Sequence, residues 1–322
     1  MKDNNYLFAV ASVRAKENSL LTQSDMEQLI NAESYKKAAA LVAEKGYEIG
    51  EDGDYSAVLD AELNEVWNSI HEAADKAEVL RMLIVKNDFQ NLKAILKSEI
   101  MDYDAEGYLV LPSVIEPKKL LDLVSSRDFD SLPEFIGSTA KEAFEQITKT
   151  GNAQLCDALI DRKTLETIIA FSKESGDKLL IEYANSYALA ADIKTAYRAI
   201  RTKKSSVFLG TAIADNDLIN KSALIEAALS GEEEFFEWLA SSGFSDYREE
   251  LQNSSSAFEK YCDDKLLSIV KKAKMTAFGL SPLAAYFVAK ETEIKCLRII
   301  LSAKQSHISG DVIRERMREC YV

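Results

Sequence analysis

Residues 286–304 read YFVAKETEIKCLRIILSAK. Phe287, Ile294, Leu297 and Leu301 recur at helical spacing, which predicts a helix with one apolar face. The opposite face carries Glu291, Lys295 and Arg298. There the acid precedes its bases by one and two turns, a favourable order on an exposed helix. Any core-facing helix supplies such a pattern. Its recurrence is what decides the fold. DFQNLKAILK from Asp88 and DIKTAYRAIR from Asp192 align without a gap on EIKCLRIILS from Glu293. Each copy begins with an acid and then has apolar residues at the same offsets: Phe89, Leu92, Leu96; Ile193, Ala196, Ile200; Ile294, Leu297, Leu301. Residue 192 lies 104 after residue 88, and residue 293 lies 101 after residue 192.

Two further markers recur upstream of each copy. One is an apolar residue, an Asp, and an apolar residue one turn on: Leu59-Asp60 with Leu63, Ile160-Asp161 with Leu165, Cys262-Asp263 with Leu266. The other is a polar joint after an apolar segment: LINAESY from Leu29, LVSSRDF from Leu123, ALSGEEEF from Ala228. There Asn31, Ser125 and Ser230 are expected as N-caps, with Ser230 and Glu233 forming a capping box. Three markers in one order, three times, predict three helical units over 1–112, 113–210 and 211–322. The first junction holds Pro112 and Pro117; the second is Ser/Thr-rich and holds Gly210. Both suit helix breaks. Three copies of a small bundle are expected around an axis or in an arc.

The composition agrees. Only four prolines and twelve glycines occur among 322 residues, and long Ala/Leu/Glu/Lys-rich segments follow one another. This predicts an all-α chain. The best strand-like run, Tyr108–Val110, is too short to found a sheet. At 47% hydrophobic, the chain has the means to bury a sizeable core. The net charge of −14 opposes nucleic-acid binding and adsorption to an anionic membrane. No window approaches the ~18 apolar residues of a span, and the N-terminal apolar run is too short for a signal peptide. Cys156, Cys262, Cys296 and Cys320 are scattered, with no CxxC pair. A soluble, cytoplasmic protein with reduced thiols is expected.

Chemistry finds little support. DYDAEGYLVLPS at 102–113 imitates the start of a calcium loop with Asp102, Asp104 and Glu106. Its twelfth position is Ser113 instead of a bidentate acid, so an acidic turn is expected. The two histidines, His71 and His307, are isolated, and no HExxH, GxSxG, GxGxxG or GxxxxGK[ST] run exists. No catalytic residue, metal site, direct nucleotide site or cofactor is expected. Asp60, Asp161 and Asp263 are expected to cap or polarise helix starts. Bases recur at matching ends of the three copies: Lys93 and Lys97; Arg198, Arg201, Lys203 and Lys204; Arg298 and Lys304. In an acidic chain, Lys97, Arg198, Arg201, Lys203, Lys204, Arg298 and Lys304 are candidates for a protein interface. The competing reading is a set of solvated helix ends.

The C-terminal run is similar to the end of the C subunit of V-type and A-type ATP synthases, called the d subunit in the eukaryotic vacuolar enzyme. The family's PL…Y…K-E-x-E-I…L-R…K pattern is met by Pro282, Leu283, Tyr286, Lys290, Glu291, Glu293, Ile294, Leu297, Arg298 and Lys304. The start resembles the family's opening at Tyr6, Arg14, Leu20 and Leu21. Thr195 departs from the Asn that the family often places there and that Asn91 keeps in the first copy. The resemblance implies three helical subdomains around a pseudo-three-fold axis, forming a funnel. It implies a non-catalytic central-stalk component on the cytoplasmic face of the membrane, between the central shaft subunits and the proteolipid ring. Such a rotor piece would transmit torque for proton or sodium transport. Two rivals are a stand-alone helical scaffold with another partner and an all-helical enzyme using carboxylates in a cleft.

Overall fold

The computed structural model describes residues 6–50, 55–74, 77–101 and 103–322. Among these residues the secondary structure is α-helix with short 3₁₀ turns, and no strand occurs. The fold is all-α. The chain divides into two compact units, one of residues 1–78 with 253–322 and the other of residues 79–252.

The first unit holds α1 (Leu7–Glu17), α2 (Gln23–Asn31), α3 (Tyr35–Glu44) and α4 (Tyr55–Ala73) from the start of the chain. The second unit holds α5 (Val85–Met101), α6 (Pro117–Ser125), α7 (Glu134–Thr150), α8 (Ala153–Ser175) and α9 (Lys178–Arg201). It continues with α10 (Ser206–Ala212), α11 (Lys221–Ser230), α12 (Glu232–Ser241) and α13 (Asp246–Asn253). The chain then returns to the first unit with α14 (Ser255–Lys271), α15 (Ser281–Gln305) and α16 (Gly310–Arg316).

The opening stretch lies within α15, which is the axis of the first unit. It packs against α1, α2, α3, α4, α14 and α16. A helix surrounded on all sides must be apolar on all sides. Residues 281–290 are accordingly buried without a break, and the polar face read from the sequence begins only at Glu291. Below it Ile294, Leu297, Ile300 and Leu301 join Met26, Leu29, Ile30, Ala38, Val42 and Leu59 in one core. The alanines of α3 let its backbone approach closely, while the leucines of α15 fill the gap.

In the second unit α5 packs against α6, α7 and α8, and α9 packs against α8, α10, α11 and α12. α5 buries Phe89, Leu92, Ile95 and Leu96; α9 buries Ile193, Ala196 and Ala199. The repeated apolar register thus faces inward in the first and third copies, and in the second at Ile193 and Ala196, while Ile200 is only half-buried and Ala199 takes the inward place.

Helix starts are set by different residues from those expected. Asn31, Ser125 and Ser230 each end a helix instead of starting one. The oxygens that accept first-turn N–H groups belong to Thr22, Ser34, Glu116, Asn152, Asp177, Ser205, Asn220 and Ser254. Thr22 and Asp25 form a reciprocal capping box. At the third joint Gly231, with φ 141°, allows α12 to follow α11 directly. The Ser230 hydroxyl instead donates back to the Glu226 carbonyl, 2.9 Å away. The strand-like residue Val110 has both backbone groups taken by the Asn91 amide, at 2.8 and 3.1 Å. That side chain does the work of a neighbouring strand. Asp102 lies outside the described residues; Asp104 accepts the N–H of Glu106 at 2.9 Å, closing a tight local turn.

Candidate functional site

The acid that opens each repeated helix is buried. Asp88, Asp192 and Glu293 are each within 5% of full burial. Each is in phase with the apolar stripe, one turn before Leu92, Ala196 and Leu297. Each holds the backbone of the segment that leads into a following helix. Asp88 accepts the N–H groups of Val114 at 2.9 Å and Ile115 at 2.7 Å, just before α6. Asp192 accepts that of Ala214 at 3.0 Å, before α11. Glu293 accepts that of Leu21, before α2. Three helices are therefore fastened to three incoming segments by one device. A buried backbone N–H must find an acceptor, and the carboxylate supplies it.

The three joints differ in strength. Asp88 has both oxygens occupied, and Asn87 adds a bond to the Pro112 carbonyl at 2.8 Å. Burial still pushes the Asp88 carboxyl up to about 6, with the two N–H groups working against it. Glu293 also accepts the Tyr47 hydroxyl and the Lys290 ammonium, the latter at 2.9 Å. Lys290 reaches Glu62 as well, at 3.0 Å. Burial works to lower the Lys290 pKa, but Glu293 and Glu62 outweigh it and the pKa is raised. Burial and the neighbouring Glu293 drive the Tyr47 phenol far up, so it stays a hydrogen-bond donor.

A second repeated contact uses the Asp markers. Asp60, Asp161 and Asp263 lie inside α4, α8 and α14 and cap none of them. Each meets cations instead. Lys93 of α5 pairs with Asp161, and Arg298 of α15 with Asp60. Lys93 and Arg298 hold the same offset in their copies, where the second copy has Tyr197. Asp263 is held by Lys295 and by Arg318, the latter at 2.8 Å.

The seven candidate interface bases separate into two kinds. Four are occupied within the fold. Lys97 pairs with Asp157 at 2.9 Å. Lys204 reaches Gln154 at 2.6 Å. Arg298 binds Asp60 and the Ser56 hydroxyl. Lys304 donates to the carbonyls of Ile30 and Ala32, both at 2.6 Å, and burial followed by the nearby Arg314 lowers its pKa. Arg198, Arg201 and Lys203 are exposed at the end of α9. Among the described residues, Arg201 meets the Tyr197 hydroxyl, at 3.3 Å, and that ring. Arg198 and Lys203 have no side-chain partner among the described residues.

The buried acids and Lys290 were the residues that sequence reasoning missed. Their signal was the phase of the acid: spaced four and seven residues from buried apolar positions, it belongs to the inward stripe. Reactive groups are scarce. Burial pushes the Cys156 and Cys320 thiols up to about 11 and Cys296 to about 12, which makes poor nucleophiles. No cluster of three metal-ligating side chains occurs among the described residues, and no described helix is long and apolar enough to cross a membrane.

Residues 9–316 match the family described as ATP synthase (C/AC39) subunit, and so span every repeated helix and joint. The chain belongs to that family. It is similar to the C subunit of the V-type sodium ATPase of Enterococcus hirae, at 25% identity over 96% of this chain and 97% of the relative. It is also similar to the C subunits of two A-type ATP synthases. The one from Methanocaldococcus jannaschii is 24% identical over 96% of this chain and 85% of the relative. The one from Halorubrum lacusprofundi is 23% identical over 98% and 97%. As a member of this family, the chain is an accessory component of a V/A-type ATP synthase complex and not a catalytic one.

Proposed function

We propose that this chain is the coupling piece of the rotor. It stands at the cytoplasmic face of the membrane, receives the central shaft subunits on one side and rests on the proteolipid ring on the other. It transmits torque that links ATP chemistry to proton or sodium movement. The observation that carries this reading is the family match across the whole repeated architecture. A torque coupler needs stiffness, and close-packed helices with charge-assisted joints supply it. It needs no nucleophile and no nucleotide loop of its own.

We further propose three repeat units, 1–112, 113–210 and 211–322, around a pseudo-three-fold axis in a funnel. The helix packing supports a cyclic order. The last helix of the first repeat, α5, lies on α6, α7 and α8 of the second; α9 lies on α11 and α12 of the third; α15 lies on α2, α3 and α4 of the first. Each repeat thus lends its copy of the repeated helix to the next. The contact to a partner is assigned to the exposed cations Arg198, Arg201 and Lys203. Lys97, Lys204, Arg298 and Lys304 would reach a partner only by giving up internal bonds.

A gentle pull-down of the tagged chain from detergent-solubilised cells, read by mass spectrometry, tests the reading. Recovery of shaft, proteolipid and nucleotide-binding head subunits is expected. A clean pull-down without them, from cells that express the ATPase, would leave a scaffold with some other partner.

A further inference from the structure

The three acid joints offer an internal comparison, and one of them is incomplete. Asp88 uses both carboxylate oxygens and Glu293 gathers three donors, but Asp192 accepts one N–H. Its second oxygen, Oδ2, is fully buried with no hydrogen-bond partner. A buried carboxylate oxygen without a donor loses its hydration and gains nothing in return. The charges around it do not compensate. Lys221 at the start of α11 favours the charged form and Glu166 of α8 and Asp215 of the connecting segment oppose it, but these charges are already paired with one another or with α8 cations: Lys221 with Asp215 at 3.9 Å, and Glu166 with Lys163 at 3.0 Å and Arg162 at 3.9 Å. α10 carries no titratable side chain. On α12, Glu232 meets Tyr197, a turn and a half along α9 from Asp192.

We propose that the Asp192 joint is a pH-sensitive release: residues 213–215 leave α9 when the Asp192 carboxyl bears charge, while Asn185 of α9 keeps its bonds to Asn216 and Asp217, at 2.9 and 3.1 Å, and the Asp88 joint responds less. The protonated carboxyl fits the site, because Oδ1 still accepts the Ala214 N–H and Oδ2 carries no buried charge. The charged carboxyl is better solvated with the segment lifted away. Burial above all pushes the Asp192 carboxyl up to about 7, against about 6 for Asp88. An acid whose pKa is raised in the closed state favours closure below that value. The closed state then loses ground as pH rises through the interval between the open and closed values, so release grows toward alkaline pH. From pH 6 to pH 8 the opening constant at the Asp192 joint should grow about tenfold, and by less at the Asp88 joint, whose two oxygens both keep a donor. A release at this point would loosen the Ala214 end of the segment before α11, within the second unit, with Asn185 as the remaining tether. It gives a stiff helical body one yielding seam, set by the pH of the surrounding solution.

Amide hydrogen exchange on the full chain at pH 6 and pH 8, corrected for intrinsic rates, tests this. Peptides spanning 210–221 should lose about tenfold in protection, and more than peptides spanning 108–117. This comparison needs no variant. In Asp192→Asn, the amide oxygen keeps the Ala214 bond and no charge can form, so protection of 210–221 should become independent of pH. Asp88→Asn should instead weaken the 108–117 joint at both pH values, because its amide N–H₂ would face a backbone N–H. Equal pH responses at the two joints, or an unchanged response in Asp192→Asn, would overturn the proposal.

Discussion

Glu293 accepts the backbone N–H of Leu21, 272 residues away along the chain. The bond fastens the last repeated helix to the first capped one, and it sits in a buried charged cluster of the first unit. The Glu293 and Lys290 side chains are only 4% and 7% exposed. Breaking one side of a buried, hydrogen-bonded pair leaves an uncompensated charge. Glu293→Gln should therefore lower the unfolding free energy by about 2–4 kcal/mol. Adding Lys290→Met should recover part of that loss, because a buried ammonium left with Glu62 as its remaining acid partner is gone. Urea midpoints of the two variants check this; a double variant less stable than Glu293→Gln would contradict it.

The repeated Asp contacts should behave differently. Asp161 and Asp60 have side chains 60% and 55% exposed. Water and salt screen such pairs, and the expected coupling is about 0.2–1 kcal/mol each. A double-mutant cycle on Lys93 and Asp161 measures it. The swap Lys93→Asp with Asp161→Lys should fold like the parent, and a coupling above about 2 kcal/mol would show that the pairs hold the bundle together.

The exposed cations can be separated from the occupied ones by experiment. Reversing Arg198, Arg201 and Lys203 to Glu should leave the thermal midpoint within a few degrees, since surface substitutions away from buried contacts change little. It should weaken assembly with the other subunits, read as loss of co-purification. Lys304→Glu should lower stability itself, because the Ile30 and Ala32 carbonyls would then face a carboxylate. Unchanged assembly of the triple variant would remove the interface assignment.

How much of this was legible in the sequence depends on the kind of signal. The helices were readable because Phe89, Ile193 and Ile294 open the same apolar register and no proline interrupts it. The order of markers was readable because α4, α8 and α14 carry Asp60, Asp161 and Asp263 at one spacing. The meaning of those aspartates was not, since a helix-start acid and a mid-helix salt-bridge acid look alike without the partner. The joints were hidden for a related reason. Ser230 has the chemistry of an N-cap, but Gly231 behind it changes which residue starts α12. The buried role of Asp88, Asp192 and Glu293 depends on backbone donors about 22 to 27 residues ahead, or 272 behind. Sequence periodicity carries the phase of such an acid but not the N–H it will meet. The seven bases were found by charge and position; which of them is free depends on neighbours such as Gln154 and the Ile30 carbonyl, which no local pattern reveals.

The proposed role of this chain is to couple rotation to ion movement. The direct measurement is ATP-driven ion transport into vesicles carrying the purified complex, with and without this chain, alongside ATP hydrolysis. With the chain, hydrolysis and transport should rise together. Without it, the head should continue to hydrolyse ATP while transport falls to the leak level, and adding the chain back should restore transport. Full transport in complexes shown to lack the chain would contradict the claim.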